Sequence, residues 1–188
     1  QNPIFRGSSL MWIEPGKDVS IADLQRGIVI SSGNDATLAV AEHIAGTEAV
    51  FAEMMNNSAK KLGMDSSHYV NSHGLPDPAH KTTARDLAKL AKAMINDHPE
   101  QYKIYKELEF TYNNIRQYNR NTLMLSDSSV DGIKTGHTEE AGFCLVASAQ
   151  RSDMRLISVV LGSASTKTRK KETAALFNYG FHFYQTRT

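Results

Sequence analysis

The sequence is poor in the features that mark several large classes of protein. It has a single cysteine, so no disulfide can form within the chain and the redox compartment stays open. No apolar run approaches the roughly 20 residues that a membrane-spanning helix needs. Neither charge dominates, since 21 Lys and Arg against 20 Asp and Glu leave a net charge of +1. The basic residues are also spread along the chain, which argues against nucleic acid as a partner.

What is present is enough apolar material for a folded domain. The 188 residues are 40% hydrophobic and 22% charged, which predicts one domain with room for a small subdomain. We interpret the lone Cys144 as a small core residue because it lies in an apolar run. The chain starts with Gln1 rather than Met, so we expect sequence to be missing in front of it. We expect no metal and no other cofactor, because four histidines lack the pairing of a zinc site: His68, His73, His80 and His98.

Hydrophobic periodicity places helices early in the chain and strands late. Capping residues and apolar i, i+3, i+4 spacing predict helices over residues 20–30, 36–45, 47–62, 83–98 and 169–178. Extended segments are predicted at 6–14 and 69–73. A hairpin of 107–112 and 115–123 is predicted around Asn113 and Asn114. The apolar runs 142–150 and 154–161 are expected to form the central antiparallel pair of the sheet.

The most informative stretch runs from residue 130 to 149. A short extended entry with an Asp131-Gly132 turn signal leads into Lys134, Thr135 and Gly136, and an apolar strand follows. A lysine there can orient a carboxylate or take part in proton transfer, the threonine adds a hydroxyl, and the glycine lets a substrate backbone lie against the chain. A surface turn with a solvated lysine is the alternative, because short motifs are weak without context.

A second polar cluster, Ser32-Gly33-Asn34, lies at the junction of two apolar helices. Its hydroxyl and amide groups would suit a catalytic site, because they can donate and accept hydrogen bonds next to a buried helix. The alternative is that Ser32 or Asn34 simply caps the second helix, which is what these residue types most often do at such a position.

Taken together, the two clusters point to one family. Ser-x-Asn followed far along the chain by Lys-Thr-Gly is typical of penicillin-binding proteins and class A β-lactamases. The sequence resembles the low-molecular-mass penicillin-binding proteins that act as D-alanyl-D-alanine carboxypeptidases, over essentially its whole length. Beyond the two clusters, the segments that carry the resemblance are residues 2–16, 26–35, 73–75, 113–121, 130–137 and 154–158.

The resemblance implies a bacterial, periplasmic serine peptidase. Such an enzyme removes the terminal D-Ala from peptidoglycan pentapeptides ending in D-Ala-D-Ala, through a covalent serine ester. β-Lactam antibiotics acylate it because they mimic that dipeptide. The implied fold is α/β, with an antiparallel sheet flanked by helices and a helical subdomain that carries residues 32–34.

The resemblance also implies roles for three catalytic residues. Ser32 would relay protons to the leaving amine. Asn34 would hydrogen-bond the substrate amide and help to hold the lysine of the nucleophile motif. Lys134 would polarise Ser32 and attract the carboxylate of the substrate.

The same resemblance implies four substrate-binding residues. Thr135 and Arg169 would bind the terminal carboxylate. The strand that begins at Gly136 and His137 would pair with the substrate backbone. The His137 backbone N–H would be an oxyanion donor, which can contribute about 3 kcal/mol. His73 lies in a loop that borders the site, and a purely structural role for it is an open alternative.

The sequence departs from the family in one respect. The family places a Ser-x-x-Lys nucleophile motif ahead of Ser-x-Asn, and here the only literal match is Ser58-Ala-Lys-Lys61, which comes after Ser32. We reject that match because its order is reversed and two fixed residues in four recur by chance. We therefore expect residues 1–188 to be a partial catalytic domain, inactive alone, without the nucleophile segment, the C-terminal β-sandwich domain and the membrane anchor.

Two other functions stay open. The chain could be a non-catalytic module that binds peptidoglycan or β-lactams reversibly. It could also be a β-lactamase, although Glu139 and Glu140 cannot be assigned to the deacylating glutamate of those enzymes.

Overall fold

The structure is a computed structural model that describes residues 5–186. Six α-helices are present in this range: α1 Ile21–Val29, α2 Asn34–Ala45, α3 Glu48–Lys61, α4 Ala84–Asp97, the single turn α5 Pro99–Tyr102, and α6 Thr166–Phe183. Short 3-10 helices occur at Lys103–Lys106 and Thr122–Leu125. Five strands accompany them: β1 Glu109–Tyr112, β2 Ile115–Tyr118, β3 Val130–Thr138, β4 Gly142–Arg151 and β5 Met154–Ser163. None of the described helices is both long and apolar enough to cross a membrane.

The larger sheet is antiparallel, with β4 between β3 and β5. Alternate side chains of a strand point to opposite faces, and both faces of β4 are covered. Leu145, Ala147 and Ala149 pack with Phe177 of α6. On the other face Val146 packs with the cluster that contains Ala91 of α4. The predicted α/β fold and its central β4–β5 pair are therefore confirmed.

A second cluster forms the helical subdomain. Met11, Leu24 and Ile30 are buried there together with Phe110 of the β1–β2 hairpin. The hairpin is shorter than predicted, because β2 ends at Tyr118. Its turn is formed by Asn113 and Asn114, as predicted, and both have positive φ values, of 47° and 61°. Asparagine tolerates this left-handed region better than most residues.

Four local predictions are wrong. Residues 6–14 form no strand. Residues 69–73 form only bends, next to a single β-bridge between His68 and Lys81. Asp131-Gly132 forms no turn but a register irregularity within β3. Cys144 is half-exposed rather than part of the core.

The last helix is longer than predicted at both ends. It begins at Thr166 because the Ser165 hydroxyl caps it, accepting a hydrogen bond from the Thr168 N–H. It continues past residue 178 through Gly180, where a Cβ atom would lie 2.5 Å from a methyl carbon of Leu156. Gly180 thus allows close packing of α6 on β5 and does not end the helix.

Candidate active site

Ser32 lies in the tight turn between α1 and α2. Its φ of 60° is a left-handed conformation that few residues other than glycine adopt. The turn is closed by two bonds to the Gly27 carbonyl, from the Gly33 N–H at 3.0 Å and from the Ser31 hydroxyl at 2.8 Å. Gly33 is the N-cap of α2, and no side chain caps this helix. The alternative that Ser32 or Asn34 serves as a helix cap is therefore wrong.

Residues 11–13 hold this turn from the outside. The Asp35 carboxylate accepts hydrogen bonds from the backbone N–H groups of Met11, Trp12 and Ile13, at 2.8, 2.9 and 3.1 Å. A Cβ atom on Gly33 would lie 2.9 Å from the Met11 backbone nitrogen, so only glycine fits there. One carboxylate thus fixes the backbone that presents Ser32.

Lys134 comes from β3 and meets Ser32 directly. Its Nζ donates hydrogen bonds to the Ser32 Oγ at 2.8 Å and to the Thr135 carbonyl at 3.0 Å. The two side chains are 102 positions apart in the sequence. Lys134 is half-buried, so the alternative of a solvated lysine in a surface turn is wrong.

The electrostatics around Lys134 disfavour its charged form. Burial is the largest cause, the guanidinium of Arg120 is the next and that of Arg169 follows, and together they lower the pKa of Lys134 to about 8. Within residues 5–186, no carboxylate forms an ion pair with this lysine. The site therefore concentrates three cationic side chains without an internal anion.

Asn34 follows the same turn and is buried, with 8% of its surface exposed. Its backbone N–H donates to the Ser9 carbonyl at 2.9 Å. Among the described residues its side-chain amide forms no hydrogen bond, and the hydrogen bonds of the Lys134 Nζ go to Ser32 and Thr135. Because buried amides normally find partners in a folded protein, Asn34 retains bonding capacity next to Ser32.

Thr135, Gly136 and His137 continue β3 beyond the lysine. This strand pairs only with β4 in the described chain, so no strand covers its other edge, although the Gly132 and Thr135 carbonyls accept from side chains. Thr135 is half-buried, and Gly136 and His137 are exposed. A Cβ atom on Gly136 would meet only the Cys144 Cβ, at an ordinary 3.8 Å. Packing within the protein therefore does not require glycine at this position.

Arg169 reaches the site from the first turn of α6. It is 7% exposed, and its Nη1 donates to the Cys144 carbonyl at 3.3 Å. Cys144 is paired with Gly136, so this contact brings the guanidinium beside the Lys-Thr-Gly strand. Burial lowers the pKa of the Arg169 guanidinium from its ordinary value, though not to a range where it loses its proton.

Two residues near the site were missed by the sequence reasoning. Arg120 follows β2, and its backbone is fixed because the buried amide of Asn121 donates to the Gly132 carbonyl at 2.9 Å. Phe143 faces His137 across β3 and β4. Neither could be found from spacing, because an exposed arginine and a strand aromatic are common everywhere in proteins.

His73 lies outside the Lys134 cluster, and its internal bonds favour the structural role that was left open. Its side chain is 2% exposed, its Nδ1 accepts from the Leu75 N–H at 3.1 Å, and its Nε2 lies 3.4 Å from the Glu48 carboxylate. Burial lowers the pKa of His73, and Glu48 partly opposes this shift.

The comparisons with known proteins agree with one another. A sequence profile of the D-alanyl-D-alanine carboxypeptidase family, peptidase S11, matches residues 1–165. The chain is 52% identical over 188 residues to D-alanyl-D-alanine carboxypeptidase DacC of Escherichia coli, a match that covers 100% of this chain and 47% of the relative. It therefore spans about half the length of the curated relatives that it matches.

Solved structures give the same result. Penicillin-binding protein 5 of Haemophilus influenzae superposes with a TM-score of 0.93 at 47% identity, covering 95% of this chain and 53% of that one. Penicillin-binding protein D2 of Listeria monocytogenes, in its ampicillin-bound form, superposes with a TM-score of 0.83 at 33% identity, covering 93% and 73%. With residues 1–165 matched by the family profile, the predicted resemblance is confirmed and the chain belongs to the D-alanyl-D-alanine carboxypeptidase family.

Proposed function

We propose that this chain is part of a serine-type D-alanyl-D-alanine carboxypeptidase that removes the terminal D-Ala from peptidoglycan pentapeptides and is acylated by β-lactams. The observation that carries the proposal is the 2.8 Å contact between the Lys134 Nζ and the Ser32 Oγ, beside the open edge of β3. A proton donor pair next to a strand edge suits the cleavage of a bond in an extended peptide.

The reaction is acyl transfer through a serine ester. A nucleophilic serine gives its hydroxyl proton to the lysine of its own motif and attacks the carbonyl of the penultimate D-Ala, and the bond from that carbonyl to the terminal D-Ala nitrogen breaks. Ser32 gives its hydroxyl proton to the departing nitrogen, and Lys134 replaces that proton. Asn34 binds the substrate amide with its unpartnered side chain. Water then hydrolyses the ester and releases the shortened peptide.

The substrate carboxylate is the anion that the three cations lack. Arg169 and the Thr135 hydroxyl bind it, and Lys134 attracts it. The substrate backbone pairs with β3 from Gly136 onward. The His137 N–H points its dipole at the oxyanion, for which a preorganised donor contributes about 3 kcal/mol.

Residues 1–188 form a partial catalytic domain in this proposal, and the nucleophile lies on a segment outside them. Ser58, the only serine with a lysine three positions later, is exposed near the end of α3. The 188 residues alone are therefore expected to be inactive, because the loss of a catalytic serine in a comparable enzyme costs on the order of a millionfold. We place the complete protein in the periplasm, at the inner membrane, with any membrane association through a C-terminal anchor.

The test is the intact mass of the natural gene product, expressed from its own start codon, before and after incubation with a penicillin. A stable penicilloyl adduct together with D-Ala release from a D-Ala-D-Ala peptide is expected. Loss of both in Lys134→Ala, with unchanged unfolding behaviour, would locate the requirement in this chain. Penicillin bound reversibly without an adduct would favour the non-catalytic binding module. Rapid turnover of penicillin would favour a β-lactamase.

The same assay applied to residues 1–188 tests the assignment of the nucleophile. No D-Ala release is expected from them. Turnover by this chain that Ser58→Ala abolishes would show that the rejection of Ser58 was wrong.

A further inference from the structure

Phe143 contacts two of the predicted substrate-binding residues. Its ring stacks on that of His137, with centroids 4.0 Å apart and planes at 29°. The two residues are register partners across β3 and β4, so the stack ties the end of the Lys-Thr-Gly strand to its neighbour.

The second contact of Phe143 is with Arg169. The guanidinium carbon of Arg169 lies 6.0 Å from the centre of the phenyl ring, at the outer limit of a cation–π interaction. Among residues 5–186, the only hydrogen bond of this side chain goes to the Cys144 carbonyl, at 3.3 Å. Two neighbouring residues of β4 therefore hold the guanidinium, one by its carbonyl and one by its ring.

The backbone around Phe143 is shaped for this position. Gly142 has a φ of 65°, and a Cβ atom there would lie 3.1 Å from the Ser163 carbonyl oxygen. The pairing of β4 with β5 shifts register between Phe143 and Leu145. Such an irregularity commonly redirects a side chain at the end of a strand.

We propose that Phe143 is a positioning residue for carboxylate recognition, because it holds the Arg169 guanidinium and the His137 end of β3 in one fixed arrangement. This inference rests on the proposed function, since it concerns the carboxylate that Arg169 binds. Phe143 does not touch the reacting atoms in this scheme. It acts by keeping a buried arginine in the orientation in which it meets its anion, so less ordering is needed when the ligand binds.

The test uses β-lactam acylation of the natural gene product, expressed from its own start codon. The rate of acylation is compared for a penicillin with a free carboxylate and for its methyl ester, in the wild type and in Phe143→Leu. With the free acid we expect the rate to fall about three- to tenfold in the variant, the size of one lost cation–π contact. With the ester we expect a clearly smaller fall, because Arg169 has no carboxylate to bind there and only the hold on the His137 end of β3 is lost.

Two further variants separate positioning from general damage. Phe143→Tyr keeps the ring and is expected to restore the wild-type ratio of acid to ester. Phe181→Leu is the matched control, since it removes a similar contact 4.4 Å from the Arg151 guanidinium, away from the site. It is expected to leave the ratio unchanged.

The coupling of Phe143 to Arg169 gives an independent readout. In an Arg169→Gln background, Phe143→Leu is expected to cause little further loss with the free acid, because the residue through which it acts is gone. Equal losses with acid and ester, or full additivity with Arg169→Gln, would overturn the proposal. A wild type that forms no adduct and releases no D-Ala would instead overturn the proposed function.

Discussion

The molecule contains two clusters of polar and charged side chains, one around His73 and one around Lys134, and they differ in whether their charged groups have partners within the described residues. The His73 cluster is closed, because the Glu48 carboxylate accepts from the Ser72 N–H at 3.0 Å and from the Ser72 hydroxyl at 2.6 Å, and also lies beside the imidazole. The Lys134 cluster is open, because its cations have no carboxylate partner within residues 5–186. A closed cluster holds a loop in place, whereas an open one keeps bonding capacity for a ligand.

The largest expected effect would come from breaking the open cluster. Lys134→Ala removes both the proton source for Ser32 and a positive charge, so we expect D-Ala release by the natural gene product to fall on the order of a hundredfold or more. The control is Lys167→Ala, an exposed lysine on α6. Activity within a few-fold of wild type in Lys134→Ala would remove Lys134 from the chemistry.

The closed cluster should show the reverse pattern. Glu48→Ala leaves the Ser72 donors and the His73 ring without their acceptor, and we expect the free energy of unfolding to fall by about 1–2 kcal/mol. Acylation by penicillin should change less than about threefold. Urea denaturation measures the first quantity, with Glu53→Ala on the exposed side of α3 as the control. A large loss of acylation at unchanged stability would give this cluster a functional role.

The lowered pKa of Lys134 predicts how the stability of the protein changes at alkaline pH. The folded value of about 8 lies below the ordinary 10.5, so the unfolded chain binds more protons between these values. The free energy of unfolding should therefore rise as the pH increases from 8 to 10.5, and the cost of charging Lys134 is fully present below pH 8.

Arg120 provides the variant for this titration. Arg120→Gln removes one of the two neighbouring cations, so the pKa of Lys134 should move up towards 10.5, by about half a unit to one unit. An NMR titration of lysine side chains labelled with ¹³C or ¹⁵N would measure it, with Arg116→Gln as the control because Arg116 pairs with Glu109. An unchanged midpoint would show that Arg120 does not act on Lys134.

The smallest effect is expected at acidic pH, from His73 of the closed cluster and from His80, a second half-buried histidine. Burial lowers the pKa of His73 and of His80 below the ordinary 6.5, so the unfolded chain binds more protons as the pH falls through 6.5. Stability should therefore decline as the pH falls through this range. Replacing both residues by glutamine should flatten this part of the stability profile, and a profile that keeps its slope would argue against their burial as the cause.

Secondary structure was mostly predictable from this sequence, because apolar periodicity and capping residues are local signals. The fold was predicted from the family resemblance. The prediction for β4 and β5 rested on two apolar runs joined by Ser152-Asp153, and it is confirmed. Residues 6–14 were wrongly predicted to form an extended segment. Their course is set by Asp35, 22–24 positions away, through hydrogen bonds that no local pattern encodes.

The site could be predicted only in part. The family resemblance identified Ser32 and Lys134 as site residues. Their hydrogen bond joins positions 102 residues apart, and such a tertiary contact cannot be predicted from sequence spacing. Arg120 and Phe143 were not predicted as site residues, because each matters through its tertiary neighbours, which the sequence does not show. Cys144 was wrongly predicted to lie in the core. It has apolar neighbours in the sequence, but these do not determine whether a residue near the end of a strand is covered by other elements.

The half-exposed Cys144 has a practical consequence. As the only thiol in the sequence, paired in register with Gly136 and one residue from Phe143, it can carry a single label without any engineering of the chain. A small fluorinated label on Cys144 would report by ¹⁹F NMR on ligands that bind along β3 near Gly136. Ligand arrival could then be followed separately from chemistry, and in a protein whose nucleophile is blocked or absent.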